Sequence, residues 1–274
     1  MSPSPDTPKT AVVLVHGAWH GAWCWRRVLP LLRGAGVEAH AVTLTGVGER
    51  AHLLSLAVDL HTHIQDVFGL VEAEELQRIV LVGHSYAGVV VTGVADRLQR
   101  ERPGCLAHLV YLDAAVPYPG DSWSSHHSAE TKQARADAAK PSGGLSFPPP
   151  DAKLFGLEGS DRDWVNRRQT PQPYRLYQQP LDFDAALVNA VPRTFIDCTS
   201  PALRHHRSRA RARAPRTRLA GAGVGHRARP DGERTAGPGR DAAGHPPRFR
   251  RLKAPPWHSA WTASTCCARR PCCG

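Results

Sequence analysis

Ten residues, Ile79-Val80-Leu81-Val82-Gly83-His84-Ser85-Tyr86-Ala87-Gly88, constrain this chain more than any other feature. A short apolar run that ends in small residues around one serine is how a buried strand turns into a helix and presents a hydroxyl. That hydroxyl is a weak nucleophile at neutral pH unless a base lies beside it, and the strand-turn-helix corner exposes the oxygen where an imidazole can reach it. Gly83, Ala87 and Gly88 leave room for the turn and for close packing of the helix. The pattern is G-x-S-x-A, with Ala87 where G-x-S-x-G has its second glycine. Taken alone, the same residues also describe an ordinary turn between a strand and a helix.

A second segment bears on that choice. Ala11-Val12-Val13-Leu14-Val15 reads as a buried strand and runs directly into His16-Gly17-Ala18-Trp19-His20-Gly21-Ala22-Trp23-Cys24-Trp25. A glycine-bearing loop of this kind can aim backbone N–H groups at one point, which is what an oxyanion hole requires. With both motifs in this order, the loop Leu44-Thr45-Gly46-Val47-Gly48-Glu49-Arg50 and the strand Leu109-Val110-Tyr111-Leu112-Asp113, the sequence resembles the α/β-hydrolase superfamily. More narrowly it is similar to small bacterial esterases related to plant methyl-ester esterases and hydroxynitrile lyases, over residues 10 to 203. The resemblance implies an α/β fold with a mostly parallel sheet, helices on both faces and a helical cap at 117–190.

The pattern along the chain agrees with alternating strands and helices. Helices are predicted over Trp25 to Gly34, Asp59 to Ala73 and Ala87 to Gln99, and strands over Val37 to Leu44, Leu106 to Asp113 and Val191 to Thr199. The longest apolar runs have strand length, so no membrane span is expected, and Met1 to Thr10 lacks the apolar core of a secretory signal. A cytoplasmic protein is the expectation. Cys24, Cys105 and Cys198 lie in apolar contexts and read as buried thiols rather than a disulfide framework.

The net charge of +11 has to be located before it means anything. Residues 1–203 hold 18 Lys and Arg against 21 Asp and Glu, whereas residues 204–274 hold 17 against 3. That last segment contains only Leu219, Val224, Phe249 and Leu252 from the Ile/Leu/Val/Phe/Met set, too little apolar surface to offset chain entropy. Its division from the rest sets the expected organisation: a disordered 1–10, a hydrolase domain over 11–203, and a disordered Arg/Pro/Ala-rich tail over 204–274. The sixteen tail arginines would bind phosphate with strong salt dependence and poor specificity, so an inactive hydrolase-fold protein that binds polyanions is the alternative function. Cys266-Cys267 and Cys272-Cys273 lack partner histidines at zinc-finger spacing, and neither metal nor cofactor is expected.

In this fold the triad follows the order Ser, acid, His, with the histidine in a loop after the last strand. Here the last strand and helix are missing from the pattern, and Gly225-His226 is followed by Arg227-Ala228-Arg229-Pro230, unlike the family's histidine loop. A shifted reading frame accounts for this: read one nucleotide later, codons for Gly225 to Thr235 permit ATGHDPMVSA, which resembles that loop, and an Arg/Pro/Ala excess is what a GC-rich gene gives out of frame. A single-nucleotide shift near Leu203 in the encoding DNA is the expected finding.

The site assignments follow. Ser85 is the nucleophile, and the backbone N–H groups of Ala18 and Tyr86 are the oxyanion donors. Asp113, at the end of the strand after the elbow helix, is the preferred acid, with Asp197 the alternative, and His226 is a weak stand-in for the base. His16 and His84 read as structural residues around the hole. Hydroxynitrile lyases of this group carry threonine at the position of Gly17 and a residue other than histidine before the serine, so the resemblance implies an esterase. The substrate is expected to be a small hydrophobic or aromatic ester, with Trp19, Trp23, Trp25 and cap aromatics either lining its pocket or only packing the loop. With no positioned imidazole, low solubility and weak p-nitrophenyl ester turnover are expected of the chain.

Overall fold

The computed structural model describes residues 9–198. Its strands are β1 (Thr10–Val15), β2 (Ala39–Val42), β3 (Arg78–His84), β4 (Leu106–Leu112), β5 (Ser146–Phe147), β6 (Gln172–Pro173) and β7 (Arg193–Ile196). Five of them form one sheet in the order β2-β1-β3-β4-β7, parallel throughout, while β5 and β6 pair as a small antiparallel ribbon. A parallel sheet must be covered on both faces, and Ala11 to Val15 are accordingly all buried. β1 begins at Thr10, which pairs with Arg78.

Helices α1 (Leu29–Gly34), α2 (Leu60–Ala73) and α3 (Ala87–Glu101) connect the first four strands. α2 starts at a capping box, where Asp59 accepts from the Thr62 N–H and the Thr62 hydroxyl accepts from the Asp59 N–H. Its stripe of Leu60, Ile64, Val67, Phe68 and Val71 is buried against the sheet and α3. α3 is enclosed through its first half: Val89, Val90, Val91 and Val94 are no more than 1% exposed, each contributing about 1.5–3 kcal/mol by burial. The opposite face carries α1, with Trp25, Val28 and Leu32 packed on Val12, Leu14, Val82, Val110 and Leu112.

Between β4 and β7 the chain leaves the sheet and builds the cap from α4 (Ala129–Ala139), the β5–β6 ribbon, α5 (Gly159–Asn166) and α6 (Arg175–Gln178), then returns through α7 (Ala185–Ala190), which packs on α3. β4 and β7 pair directly beneath it, Leu109 with Arg193 and Leu112 with Ile196.

Three predicted elements are shorter, by more than one residue, than the pattern suggested. The first helix splits into a 3-10 turn at Ala22–Trp25 and α1, because Pro30 lacks an N–H and is accepted only in a helix's first turn. β2 is trimmed to Ala39–Val42, an edge strand paired only with β1 and entered through Gly36 at φ +74°. β7 runs over Arg193–Ile196. The tail, the last-strand question, the shifted frame, His226 and the paired cysteines lie outside the described residues. Among those described, no helix is long and apolar enough to cross a membrane.

Candidate active site

The C-terminal edge of the sheet gathers the candidate residues. Ser85 directly follows β3 and holds φ +54°, a left-handed conformation that a non-glycine residue adopts at a cost. Its N–H donates to the Leu112 carbonyl at 3.2 Å, and its carbonyl accepts from Gly88 at 3.1 Å and from Ala115 at 3.0 Å. The corner is thereby fixed to both α3 and the end of β4. Close approach makes the small residues obligatory: a Cβ on Gly83 would lie 2.6 Å from Val91 Cγ2 and 2.8 Å from the Ala87 carbonyl oxygen. Ser85 itself is half-buried.

Asp113 takes the equivalent position after β4, at φ +42°, and is buried. Its N–H donates to the Ile196 carbonyl at 2.8 Å, which places Asp197 after the neighbouring strand on the same edge. The structure therefore brings Ser85 and both acid candidates together at adjacent strand ends. Of the two carboxylates, Asp113 is the one on the strand beside the elbow.

The first loop is pinned around Ala18. The buried His16 ring donates from Nδ1 to the Gly17 carbonyl at 2.7 Å and accepts at Nε2 from the Leu44 N–H at 3.1 Å. His20 Nδ1 donates to the Ala18 carbonyl at 2.6 Å, the Trp19 N–H donates to Gln172 Oε1 at 2.9 Å, and the Trp19 carbonyl accepts from Thr170 at 3.0 Å. With these groups occupied, the Ala18 N–H donates to no other group among the described residues, and neither does the Tyr86 N–H at the start of α3. The N-terminus of that 15-residue helix adds a partial positive charge at the elbow. Gly17 is the point of contact between loop and elbow: a Cβ there would fall 3.1 Å from Ser85 Cβ and 3.0 Å from His84 Nδ1. A threonine at this position would crowd the serine directly.

The tryptophans separate. Trp19, at φ +65°, joins cap aromatics, with ring centroids 5.9 Å from Trp123 and 5.6 Å from Phe147; Trp123 in turn lies 4.9 Å from Tyr86 and 5.1 Å from Tyr177. Trp23 stacks on His20 and meets Trp164 of α5 edge-on. Trp25 packs in the core on the α1 face. A cavity of about 180 Å³ opens beside His84 and Leu112, the residues before Ser85 and Asp113, with Trp25, Trp164 and Val165 on one part of its wall and Arg26, Arg27 and Asp161 on another. Sequence reasoning missed Gln172 and Thr170, which hold the first loop from the cap; a buried glutamine in an irregular segment leaves no periodic signal. It also missed His63, although a histidine within the apolar stripe of α2 is a legible anomaly.

Burial dominates the titration of the site's histidines. His16 is lowered to about 3 and His63 to about 4, both by loss of solvent around the charged ring, so neither is positioned as a base at neutral pH. Burial likewise pushes the Cys24 and Cys105 thiols up, leaving them protonated. The sign for stability follows: the unfolded chain protonates these histidines at about 6.5 while the native state does not, so stability is full above that pH and falls below it. Each pH unit between about 6.5 and 4 removes about 1.4 kcal/mol per histidine. The urea midpoint is expected to drop markedly from pH 7 to pH 5; equal midpoints would contradict neutral burial. No group of three or more His, Cys, Asp and Glu that could hold a metal ion occurs among the described residues.

A parallel sheet, a serine elbow facing a glycine loop, and a cap between the strands after the elbow helix define an α/β hydrolase. The sequence model of the alpha/beta hydrolase family matches residues 12–260, and the chain belongs to that family. The matched span runs past residue 203, where the resemblance read from motifs ended. The chain is 48% identical over 178 residues to the carbendazim hydrolyzing esterase of a Nocardioides species, covering 62% of this chain and 72% of that one. It is 30% identical over 192 residues to esterase PIR7B of Oryza sativa subsp. japonica, covering 69% and 67%. In fold it is similar to an extracellular alpha/beta-hydrolase from a Paenibacillus species, with TM-score 0.60 at 22% identity over 69% of this chain and 76% of the other. The two esterases place it among the family's carboxylic-ester hydrolases.

Proposed function

We propose that the protein cleaves a small hydrophobic or aromatic carboxylic ester through an acyl-enzyme on Ser85. The observation that carries this reading is the left-handed Ser85 at a half-buried corner, next to two main-chain N–H groups with no other acceptor among the described residues. In the scheme, Ser85 Oγ attacks the ester carbonyl and the oxyanion forms against the Ala18 and Tyr86 N–H groups. Collapse expels the alcohol, and water then cleaves the acyl-enzyme. Asp113, with Asp197 second for that role, orients the base histidine, for which His226 is a weak stand-in, and without a positioned imidazole the chain keeps only modest turnover.

Incubation with a fluorophosphonate, followed by peptide mass mapping, tests the nucleophile. The adduct is expected on the peptide that contains Ser85, and p-nitrophenyl ester turnover is expected to fall with the fraction labelled. An adduct elsewhere, or full turnover with Ser85 blocked, overturns the reading. His226→Ala is expected to lower the same turnover; parent-level activity in that variant removes His226 from the scheme.

A further inference from the structure

Beneath the elbow lies a buried polar pair that the reaction scheme does not use. His63 on α2 and Tyr86, the residue after Ser85, are both wholly enclosed, with rings edge to face at 5.9 Å. His63 Nε2 lies 2.8 Å from the Thr45 carbonyl oxygen, and Nδ1 lies 3.1 Å from the Tyr86 hydroxyl. A carbonyl only accepts, so Nε2 carries the ring proton. Burial keeps the ring neutral and pushes the Tyr86 phenol well up. Nδ1 is therefore an acceptor, and the Tyr86 O–H donates to it.

The chain of bonds continues past the histidine. The Thr45 N–H donates to Asp66 Oδ2 at 2.6 Å and its hydroxyl to Oδ1 at 2.8 Å, while Arg50 pairs with the same carboxylate at 3.1 Å. A directional path thus runs from the Leu44–Arg50 loop through α2 to the residue whose N–H faces the serine corner. Apolar packing alone fills the volume around Tyr86, with Trp123 on its ring at 4.9 Å. A hydrogen bond at the phenol tip adds what packing lacks, a fixed ring orientation and hence a fixed position of the backbone to which the ring is attached.

We propose that His63 is a positioning residue for the oxyanion hole, holding the Tyr86 N–H in line with the forming oxyanion through the Tyr86 hydroxyl. The inference rests on the Tyr86 N–H serving as an oxyanion donor in the function proposed above.

The test compares Tyr86→Phe, His63→Leu and His63→Gln in the full chain, by p-nitrophenyl acetate kinetics, inhibition by phenylboronic acid, and thermal unfolding. Tyr86→Phe and His63→Leu are expected to lower kcat about tenfold, a part of the roughly 10²–10³ that loss of a whole oxyanion donor costs. KM should stay within about twofold, and phenylboronate should weaken by the same factor as kcat, since both read the oxyanion contact. His63→Gln keeps a donor for Thr45 and an acceptor for Tyr86, and is expected to recover most of the rate. Lower unfolding temperatures with parent kcat and boronate affinity would make the pair a packing element only and overturn the proposal. Tyr86→Phe preserves the ring and decides the question if His63→Leu does not fold. Ser85→Ala separates the two levels: if it retains parent turnover, the proposed nucleophile falls, whereas if it loses turnover while the Phe and Leu variants keep it, only the role of His63 falls.

Discussion

Gly88→Ala is expected to abolish the native fold. A Cβ at this position would sit 1.9 Å from the Ala115 carbonyl oxygen and 2.9 Å from its carbon, both backbone atoms that cannot rotate away. Nor can the loop retreat, because the Ala115 N–H is bonded to the Ser85 carbonyl and the preceding residues are tied to β7 through Asp113. Relief requires α3 to lift from the strand end, separating a helix whose first half is fully enclosed. The cost is expected to exceed about 4 kcal/mol, a large share of what a domain of this size has. Gly69→Ala is the internal control. It lies inside α2, where a new Cβ meets nothing closer than Gln65 Nε2 at 3.5 Å, so the same substitution should stabilise by about 0.5–1 kcal/mol. Urea unfolding of the two variants should move in opposite directions; a cooperative, parent-like transition for Gly88→Ala would show the contact to be yielding.

Ser85→Gly is expected to lose ester turnover and gain stability at once. The left-handed backbone at φ +54° costs a side chain about 1–2 kcal/mol and costs glycine nothing. A gain of about 1 kcal/mol raises the unfolding temperature by about 2–4 °C in a domain of this length. Turnover is lost in the opposite sense, because the attacking oxygen is gone while the hole remains. Calorimetry and p-nitrophenyl ester kinetics on one preparation check both halves. A variant that is both slower and less stable would place the strain elsewhere.

Local sequence made the central strands and the elbow legible because their signals do not depend on distant partners. The apolar runs of β1 and β3 have the length and β-branched content of buried strands, and the small residues around Ser85 fit a tight strand-to-helix corner. α2 was equally clear, since Asp59 and Thr62 announce its start and its stripe keeps helical spacing. The boundaries that moved did so for nameable reasons: Pro30 delays α1, and the edge position of β2 leaves its ends without ladder partners. What stayed hidden was everything set by contact across the chain. The left-handed backbone of Asp113, the grip of Gln172 on Trp19 across 153 positions, and the pairing of His63 with Tyr86 arise only when the cap and α2 are brought onto the sheet. The tryptophans of the first loop illustrate the same limit, because nothing in their spacing separates Trp19, which meets the cap, from Trp25, which faces the other way into the core.

Because β4 and β7 zip together on their own, the 80 residues between them form an excursion whose two feet are already joined. Selectivity and chemistry are therefore separable in this architecture. Transplanting a relative's excursion between Val116 and Arg193 would change what reaches the serine while leaving Asp113, Ala115 and the corner they hold in place, provided the graft keeps a glutamine side chain and a main-chain N–H to grasp the first loop.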